Sequence, residues 1–346
     1  MTPFYIHQFS RRTKMFRYLV TGGCGSIGSA LVKRLLIQGH QVCSFDITED
    51  GLFHQNRELK SQYVDLYKPF LGDIRDRDRL TQALKNVDYV YHCAALKHVA
   101  LCEYNPFEAL KTNVLGTENL VEACINNGVK KMVFASSDKA VNPTGTMGAT
   151  KLLAEKLITS ANNYAGSQYF KCSCVRFGNV WASNGSVGLI FCEQSKTGQP
   201  LTVTSREMTR FFIDKNSALE LCEFAMENME GGEIFICDMG ALNIYDLATT
   251  FNEYFENKKP IQLIGMAPGE KLYEELFTET EAAFVGTYKN YYIVIPEGLI
   301  SDTTKDAWER KPEFHWQDSN NPLLSANSPK QTDVKHLINL ITLNAI

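Results

Sequence analysis

The residues able to do chemistry gather in one stretch, Ser136-Ser-Asp-Lys-Ala-Val-Asn-Pro-Thr-Gly-Thr-Met-Gly-Ala-Thr-Lys151. A hydroxyl, a carboxylate and an amine stand side by side at Ser137, Asp138 and Lys139. Such a set can take a proton from one atom of a substrate and give one to another. A surface turn ahead of Pro143 would use the same residue types, so the pair is judged with its surroundings. Lys151 follows Met147 by four residues, which sets both on one helix face. A phenol at 147 would form a proton-moving pair with Lys151; the thioether of Met147 cannot carry a proton.

These groups need a strand before them and a helix behind. The apolar run 131–135 predicts a buried parallel strand, and 148–158 predicts a helix. The reactive groups then stand at the carboxyl edge of a parallel sheet, where open α/β folds place their ligands. Upstream, 16–21 reads as a strand, followed by a glycine turn, a helix to about 38 and a strand at 41–45. Then come 67–71, a helix near 77–86, a strand at 89–92 and a helix around 106–127. This alternation predicts right-handed βαβ units and a doubly wound parallel sheet. Further strands are expected at 172–177 and 233–238.

The stretches 181–212 and about 256–300 break the alternation and carry more Gly, Pro and aromatic residues. The expected organisation is a dinucleotide-binding unit of 15–180 and about 213–255, interleaved with a smaller substrate-binding part of 181–212 and about 256–330. Residues 301–330 read as polar and irregular. A terminal helix is expected near 332–343, within 331–346, and residues 1–14 read as a short extension.

Gly22, Gly25 and Gly28, with Ser26 and Ile27 among them, form G-x-x-G-x-x-G between the first strand and its helix. Glycines there allow a tight turn and bring backbone N–H groups close to a pyrophosphate, which the helix N-terminus favours electrostatically. Strand-to-helix turns also use glycine for steric reasons alone, so the trio gains its meaning from Asp46 at the end of the second strand. That carboxylate fits a ribose diol and repels a 2′-phosphate, which favours NAD over NADP. Asp73, after the third strand, fits either an adenine-edge contact or a helix cap.

The chain has 346 residues, 44% hydrophobic and 21% charged, which is ordinary for a soluble globular protein. A net charge of −4 gives no electrostatic reason to expect nucleic acid or an anionic membrane as partner. The ten cysteines include no Cys-x-x-Cys, which points to reduced thiols in a cytoplasmic protein, with no zinc site and no disulfide framework. No apolar run approaches the roughly 18 residues of a spanning helix, so no membrane insertion is expected, nor is a signal peptide. A homo-oligomer is expected on general grounds.

With the glycine turn and Ser137, Met147 and Lys151 in place, the chain resembles the extended short-chain dehydrogenase/reductase superfamily. Within it, the chain is similar to the nucleotide-sugar 4,6-dehydratases that act on UDP-N-acetylglucosamine in surface-polysaccharide and glycan pathways. The resemblance rests on Ala94-Ala-Leu-Lys-His-Val99, Cys102-Glu-Tyr-Asn-Pro106, Asn113-Val-Leu-Gly-Thr117, Ser137-Asp-Lys-Ala-Val-Asn-Pro143, Met147-Gly-Ala-Thr-Lys151, Arg176-Phe-Gly-Asn-Val180, Met208-Thr-Arg-Phe-Phe212 and Pro268-Gly-Glu-Lys-Leu-Tyr-Glu-Glu275. The Asp-Lys-Ala-Val-Asn-Pro run is the most specific of these.

The resemblance implies a lyase that oxidises C4 of the sugar, removes the C5 proton, expels the C6 hydroxyl as water and returns the hydride to C6. Asp138 is then the acid at the C6 oxygen, Lys139 the C5 base, Ser137 a hydrogen-bond donor to the C4 oxygen, and Lys151 the holder of the nicotinamide ribose. Lys139 must be partly neutral, and the nearby cations are expected to lower its pKa. Ile74, Ala94 and Ala95 are expected at the cofactor; Lys97, His98, Asn113, Arg176, Asn179, Arg210, Glu270 and Glu274 at the nucleotide-sugar. Met147 matches a branch that keeps the C5 configuration, whereas relatives of this length more often carry Tyr and invert it. Ala267 and Asn184 stand where an Arg is often found, which leaves a GDP-linked sugar open beside UDP. The other readings are a nucleotide-sugar 4-epimerase, which would use a Tyr at 147, and a dinucleotide-binding protein without turnover.

Overall fold

The computed structural model describes residues 14–166, 169–296, 302–317, 321–328 and 338. Six parallel strands build its centre: β1 Arg17–Thr21, β2 Gln41–Asp46, β3 Tyr67–Leu71, β4 Tyr89–His92, β5 Lys131–Ser137 and β6 Lys171–Phe177. The chain then forms the short strands β7 Asn179–Val180, β8 Thr202–Val203 and β9 Thr209–Ile213, and returns to the large sheet as β10 Ile234–Cys237. It leaves again through β11 Ala241–Asn243 and β12 Gln262–Leu263, and ends on β13 Val285–Tyr288, β14 Tyr291–Val294 and β15 Phe314–Trp316. The ten-stranded sheet runs β3-β2-β1-β4-β5-β6-β10-β14-β13-β15, the last three antiparallel to their neighbours.

The expected doubly wound sheet is therefore present. The chain moves outward from β1 in one direction and from β4 in the other, so a crevice opens above the carboxyl ends of these two strands. The central strands are covered on both faces, which explains why they read as continuous apolar runs without alternation: Met132, Val133 and Phe134 of β5 are all buried. The helix Thr146–Ala161 turns Met147, Lys151, Ala154, Glu155 and Ile158 inward. A Cβ at Gly148 would come within 2.2 Å of the Lys139 carbonyl oxygen, so glycine lets this helix lie directly against the reactive turn.

Several sequence expectations need correction. The helix expected around 106–127 is divided into Pro106–Leu110, a π-helical turn Lys111–Leu115 and Gly116–Asn126, and a further helix, Val99–Tyr104, precedes it. Pro106 has no N–H with which to continue a preceding helix, and the wide turn swings Asn113 inward. The helix Glu49–Leu59 was not foreseen, because its sequence is polar on most faces. The 301–330 stretch is not irregular: it holds the helix Asp302–Glu309 and β15. Nor do residues 256–330 all belong with the smaller part, since β13, β14 and β15 extend the large sheet. Conversely, Leu242, Leu247 and Phe251, expected with the first unit, pack in a second core with Trp181, Phe191 and Phe212. The terminal helix expected at 332–343 and the 1–14 extension lie outside the described residues, apart from Lys14 and Ile338. Among the described residues no helix is long and apolar enough to cross a membrane.

Candidate active site

The crevice is a cleft of about 980 Å³. Its floor begins at the glycine turn, where Gly22 has φ +64° and a Cβ on it would meet the Ala94 nitrogen at 2.7 Å. A Cβ on Gly28 would come within 2.1 Å of the Gly22 carbonyl oxygen. The turn thus touches the β4 loop on one side and its own helix on the other, and no side chain fits between. Gln55 supports it from below, donating to the Gly23 carbonyl at 2.8 Å while accepting from Ser44 and Tyr67. Asp46 reaches back from β2 and accepts from the backbone nitrogens of Cys24 and Thr48, both at 2.9 Å. A cradle with no room for side chains, next to a fixed carboxylate, fits the pyrophosphate and ribose of a dinucleotide.

Ser26, Ile27, Asp73, Ile74, Ala94 and Ala95 line the same cleft. Asp73 is bound by Arg75, whose hydrogen bonds outweigh the effect of burial and keep the carboxyl below its ordinary range. Beneath the floor His92 is fully buried between Thr21 and Thr117, at 2.7 and 3.0 Å. Burial, with Lys151 nearby, pushes it down to about 3, so it is a neutral structural ring.

At the far wall Ser136, Ser137, Lys139, Met147 and Lys151 all face the cleft. Asp138 does not: it is fully buried, and its Oδ1 accepts from both Ser137 Oγ and Lys139 Nζ at 2.9 Å. Its other oxygen has no hydrogen-bond partner. Lys139 Nζ also donates to Asn179 Oδ1 at 3.2 Å and lies 3.6 Å from Glu274. Burial alone would lower the Lys139 pKa, but the carboxylates of Asp138 and Glu274 outweigh it and the net shift is upward. The expected lowering by neighbouring cations is therefore overturned: the two carboxylates outweigh burial and the Arg210 cation together. Lys151 behaves differently. Burial pushes it down to about 8, and its amine donates to the Ala135 carbonyl at 2.8 Å above the Phe134 ring.

Met147 packs with Cys102, Ala109 and Val99 and brings no protic group. Opposite, Lys97 and His98 line the cleft, with Lys97 Nζ donating to the Asn184 carbonyl at 2.9 Å. The Asn184 nitrogen in turn donates to Ser26 Oγ at 3.1 Å, so the loop 183–186 spans from the phosphate turn to Lys97. The contacts use the backbone of Asn184, which side-chain reasoning could not find; the Asn184-Gly185 turn pair was the available signal. Ser136 was also missed: its hydroxyl is buried, faces the cleft and has no hydrogen-bond partner.

Five residues assigned to substrate are placed elsewhere. Arg176 is 1% exposed and binds Glu155 at 2.7 and 2.9 Å, Glu281 at 2.7 and 3.0 Å and the Leu276 carbonyl at 3.0 Å. It joins β6, the Lys151 helix and the 276–281 segment, with no donor aimed at the cleft. Arg210 is spent on the carbonyls of Thr209, Lys271 and Leu272. Asn113 brackets Leu96, accepting from its nitrogen and donating to its carbonyl, so it shapes the 94–98 loop from behind. Glu270 accepts from the Ala267 nitrogen within its own turn. Glu274 is 2% exposed beside Lys139, Arg210 and Lys271, behind the cleft wall. Of the substrate set, Lys97, His98 and Asn179 remain in the cleft. Among the described residues no group of His, Cys, Asp and Glu is arranged to hold a metal.

The model of the polysaccharide biosynthesis protein family matches residues 18–296. An uncharacterized membrane protein of Methanocaldococcus jannaschii is 48% identical over 81% of this chain and 86% of its own length. A UDP-N-acetylglucosamine 4,6-dehydratase (inverting) of Campylobacter jejuni is 34% identical over 92% and 97%, and a UDP-glucose 4-epimerase of Rickettsia rickettsii 38% identical over 81% and 83%. Among solved structures, Pen from Bacillus thuringiensis superposes with a TM-score of 0.87 at 37% identity, over 97% of this chain and 99% of that one. The Thermus thermophilus UDP-glucose 4-epimerase, solved with NAD, superposes at 0.63 with 25% identity, over 74% and 88%. With the glycine cradle, the Ser137-Asp138-Lys139 turn and a family match across most of its length, the chain belongs to the polysaccharide biosynthesis protein family, beside the UDP-N-acetylglucosamine 4,6-dehydratases of the extended short-chain dehydrogenase/reductase superfamily.

Proposed function

We propose that this protein is an NAD-dependent lyase that converts a nucleotide-linked N-acetylhexosamine, UDP-N-acetylglucosamine first and a GDP-linked sugar second, into its 4-keto-6-deoxy product for surface-polysaccharide or glycan biosynthesis. The observation that carries this reading is Asp138 Oδ1, which accepts from Ser137 Oγ and Lys139 Nζ at once, both at 2.9 Å. Bound NAD would supply the hydride acceptor at C4 and the same hydride for C6. The chain's own residues have only protons to move.

The cycle runs on the minor form in which Lys139 is neutral, because the carboxylates of Asp138 and Glu274 favour its ammonium; the C4 hydroxyl proton then passes through the Ser137 hydroxyl to the Asp138 carboxylate as C4 is oxidised. This route replaces the phenol that Met147 lacks. Lys139, the member of the pair that lines the cleft, takes the C5 proton and delivers it to the departing C6 hydroxyl, which leaves as water. The proton held on Asp138 then returns through Lys139 to C5 as the hydride reaches C6. The pair ends as it began, with no net proton gained or lost. This differs from Asp138 acting directly on the C6 oxygen, which its full burial disfavours.

A 4-epimerase is the second reading, favoured by the Rickettsia relative. An epimerase leaves C5 and C6 untouched and has no use for an amine paired with a carboxylate at the cleft wall. Incubation with UDP-N-acetylglucosamine or its GDP counterpart in D₂O, followed by NMR, separates them. A 4-keto-6-deoxy sugar carrying deuterium at C5 is expected, and Lys139→Met should abolish it. Inversion at C4 with an intact 6-hydroxyl, or full turnover by Lys139→Met, would refute the dehydratase mechanism.

A further inference from the structure

Glu274 is charged, 2% exposed and outside the cleft, yet it is not satisfied by the contacts around it. Its Oε1 lies 3.6 Å from Lys139 Nζ and 3.7 Å from Arg210 Nε. Its Oε2 lies 3.3 Å from Lys271 Nζ and has no hydrogen-bond partner. Arg210 does not need this carboxylate, because three backbone carbonyls already take its terminal N–H groups. Lys271 donates to the Val141 carbonyl at 2.7 Å, which seats the 267–275 segment on the reactive turn. A buried carboxylate held at ion-pair distances, with one oxygen left bare, costs stability unless its charge serves a neighbour. The neighbour that faces the cleft is Lys139.

We propose that Glu274 is a positioning residue whose charge, tempered by Lys271, sets how readily Lys139 releases its proton. The inference rests on Lys139 being the proton-handling group of the proposed reaction. The groups facing Lys139 are Asp138 on its own turn, the amide oxygen of Asn179 on β7, Arg210 on β9 and Glu274. Lys151, on the neighbouring helix, is turned to the Ala135 carbonyl. Lys271 pairs with Glu274 at 3.3 Å and as a like charge cannot itself stabilise the Lys139 ammonium, so the two substitutions have opposite signs. Neutralising Glu274 removes one of the two anions that stabilise the ammonium. Neutralising Lys271 leaves Glu274 less compensated and strengthens its hold.

The test is trace acetylation of the full-length protein with acetic anhydride at pH 8, with Lys139 labelling quantified by peptide mass spectrometry. Only the neutral amine reacts, so the labelling rate follows its deprotonated fraction. A charge a few ångströms away shifts a pKa by about one unit or more. Glu274→Gln should therefore label Lys139 about tenfold faster than wild type, Lys271→Met should label it severalfold more slowly, and Glu274→Asp should restore the wild-type rate. Unchanged labelling in both charge-removing variants, or changes of the same sign, would overturn the proposal. Should Glu274→Gln fail to fold, the slower labelling expected of Lys271→Met decides alone. Because labelling needs no turnover, the outcome is separate from the dehydratase reading. If labelling shifts while the acid limb of the kcat profile stays fixed, the charge coupling stands and Lys139 loses its place as the base.

Discussion

Lys151 offers a direct measurement of what the site costs the fold. It is 5% exposed, and burial lowers its pKa from 10.5 to about 8. That fall corresponds to about 3 kcal/mol held against the charged form. Below pH 8 the folded and unfolded chains both carry the proton, and the burial cost stands in full. Between pH 8 and 10.5 the folded chain has shed the proton while the unfolded chain keeps it, so the fold gains stability as pH rises through this window. Lys151→Met keeps the side-chain volume and has nothing to titrate. Guanidinium unfolding of cofactor-stripped wild type and Lys151→Met, each at pH 7 and pH 9.5, isolates the effect. The high-pKa cysteines and tyrosines titrate alike in both proteins and cancel in the double difference. Between the two pH values wild type should gain about 2 kcal/mol relative to the variant. At pH 7 the variant should be the more stable of the two. A stability gap that does not change with pH, or one that moves against wild type, would refute the reading of Lys151 as a buried ammonium held against its preference.

Three further outcomes follow from the contacts. Arg176→Ala strands Glu155 in the core and should destabilise the protein by about 3–5 kcal/mol, read as a lower chemical midpoint, with no specific rise in KM once folded protein is counted. Met147→Leu keeps the packing against Cys102 and Ala109 and should leave kcat within a few-fold; a large loss would give the sulfur a role that the proton route lacks. If Asp46 is the acceptor for the ribose diol, Asp46→Ala should weaken NAD binding about tenfold and leave NADP binding less affected, both measurable by calorimetry.

The parts of the molecule legible from sequence were those whose physics is local. The glycine turn needs backbone space within seven residues, and a parallel strand covered on both faces declares itself by an unbroken apolar run. The reactive turn has its hydroxyl, carboxylate and amine in consecutive positions, so no long-range contact had to be guessed to find it. Asp138 shows where this stops: the sequence supplies the carboxylate, but only the packed turn decides that it faces inward and accepts from Ser137 and Lys139. The arginines failed for the same reason on a longer scale. β6 is buried on both faces, so strand alternation cannot say which way Arg176 points, and one of its partners, Glu281, lies 105 positions away. An arginine assigned to phosphate by type alone was in fact neutralising two carboxylates.

The same correction bears on how a diphosphate would be held. With Arg176 and Arg210 committed elsewhere, the cations lining the described cleft are Arg75, Lys97, Lys139 and Lys151. Arg75 is already paired with Asp73 and Glu108, Lys139 lies among carboxylates, and Lys151 donates to the Ala135 carbonyl. Lys97 likewise donates to a neutral carbonyl, that of Asn184, but it is exposed where Lys151 is buried. A nucleotide diphosphate entering the cleft would meet in Lys97 an exposed ammonium tied only to the backbone of the 183–186 loop, and in Lys151 a buried one tied to β5.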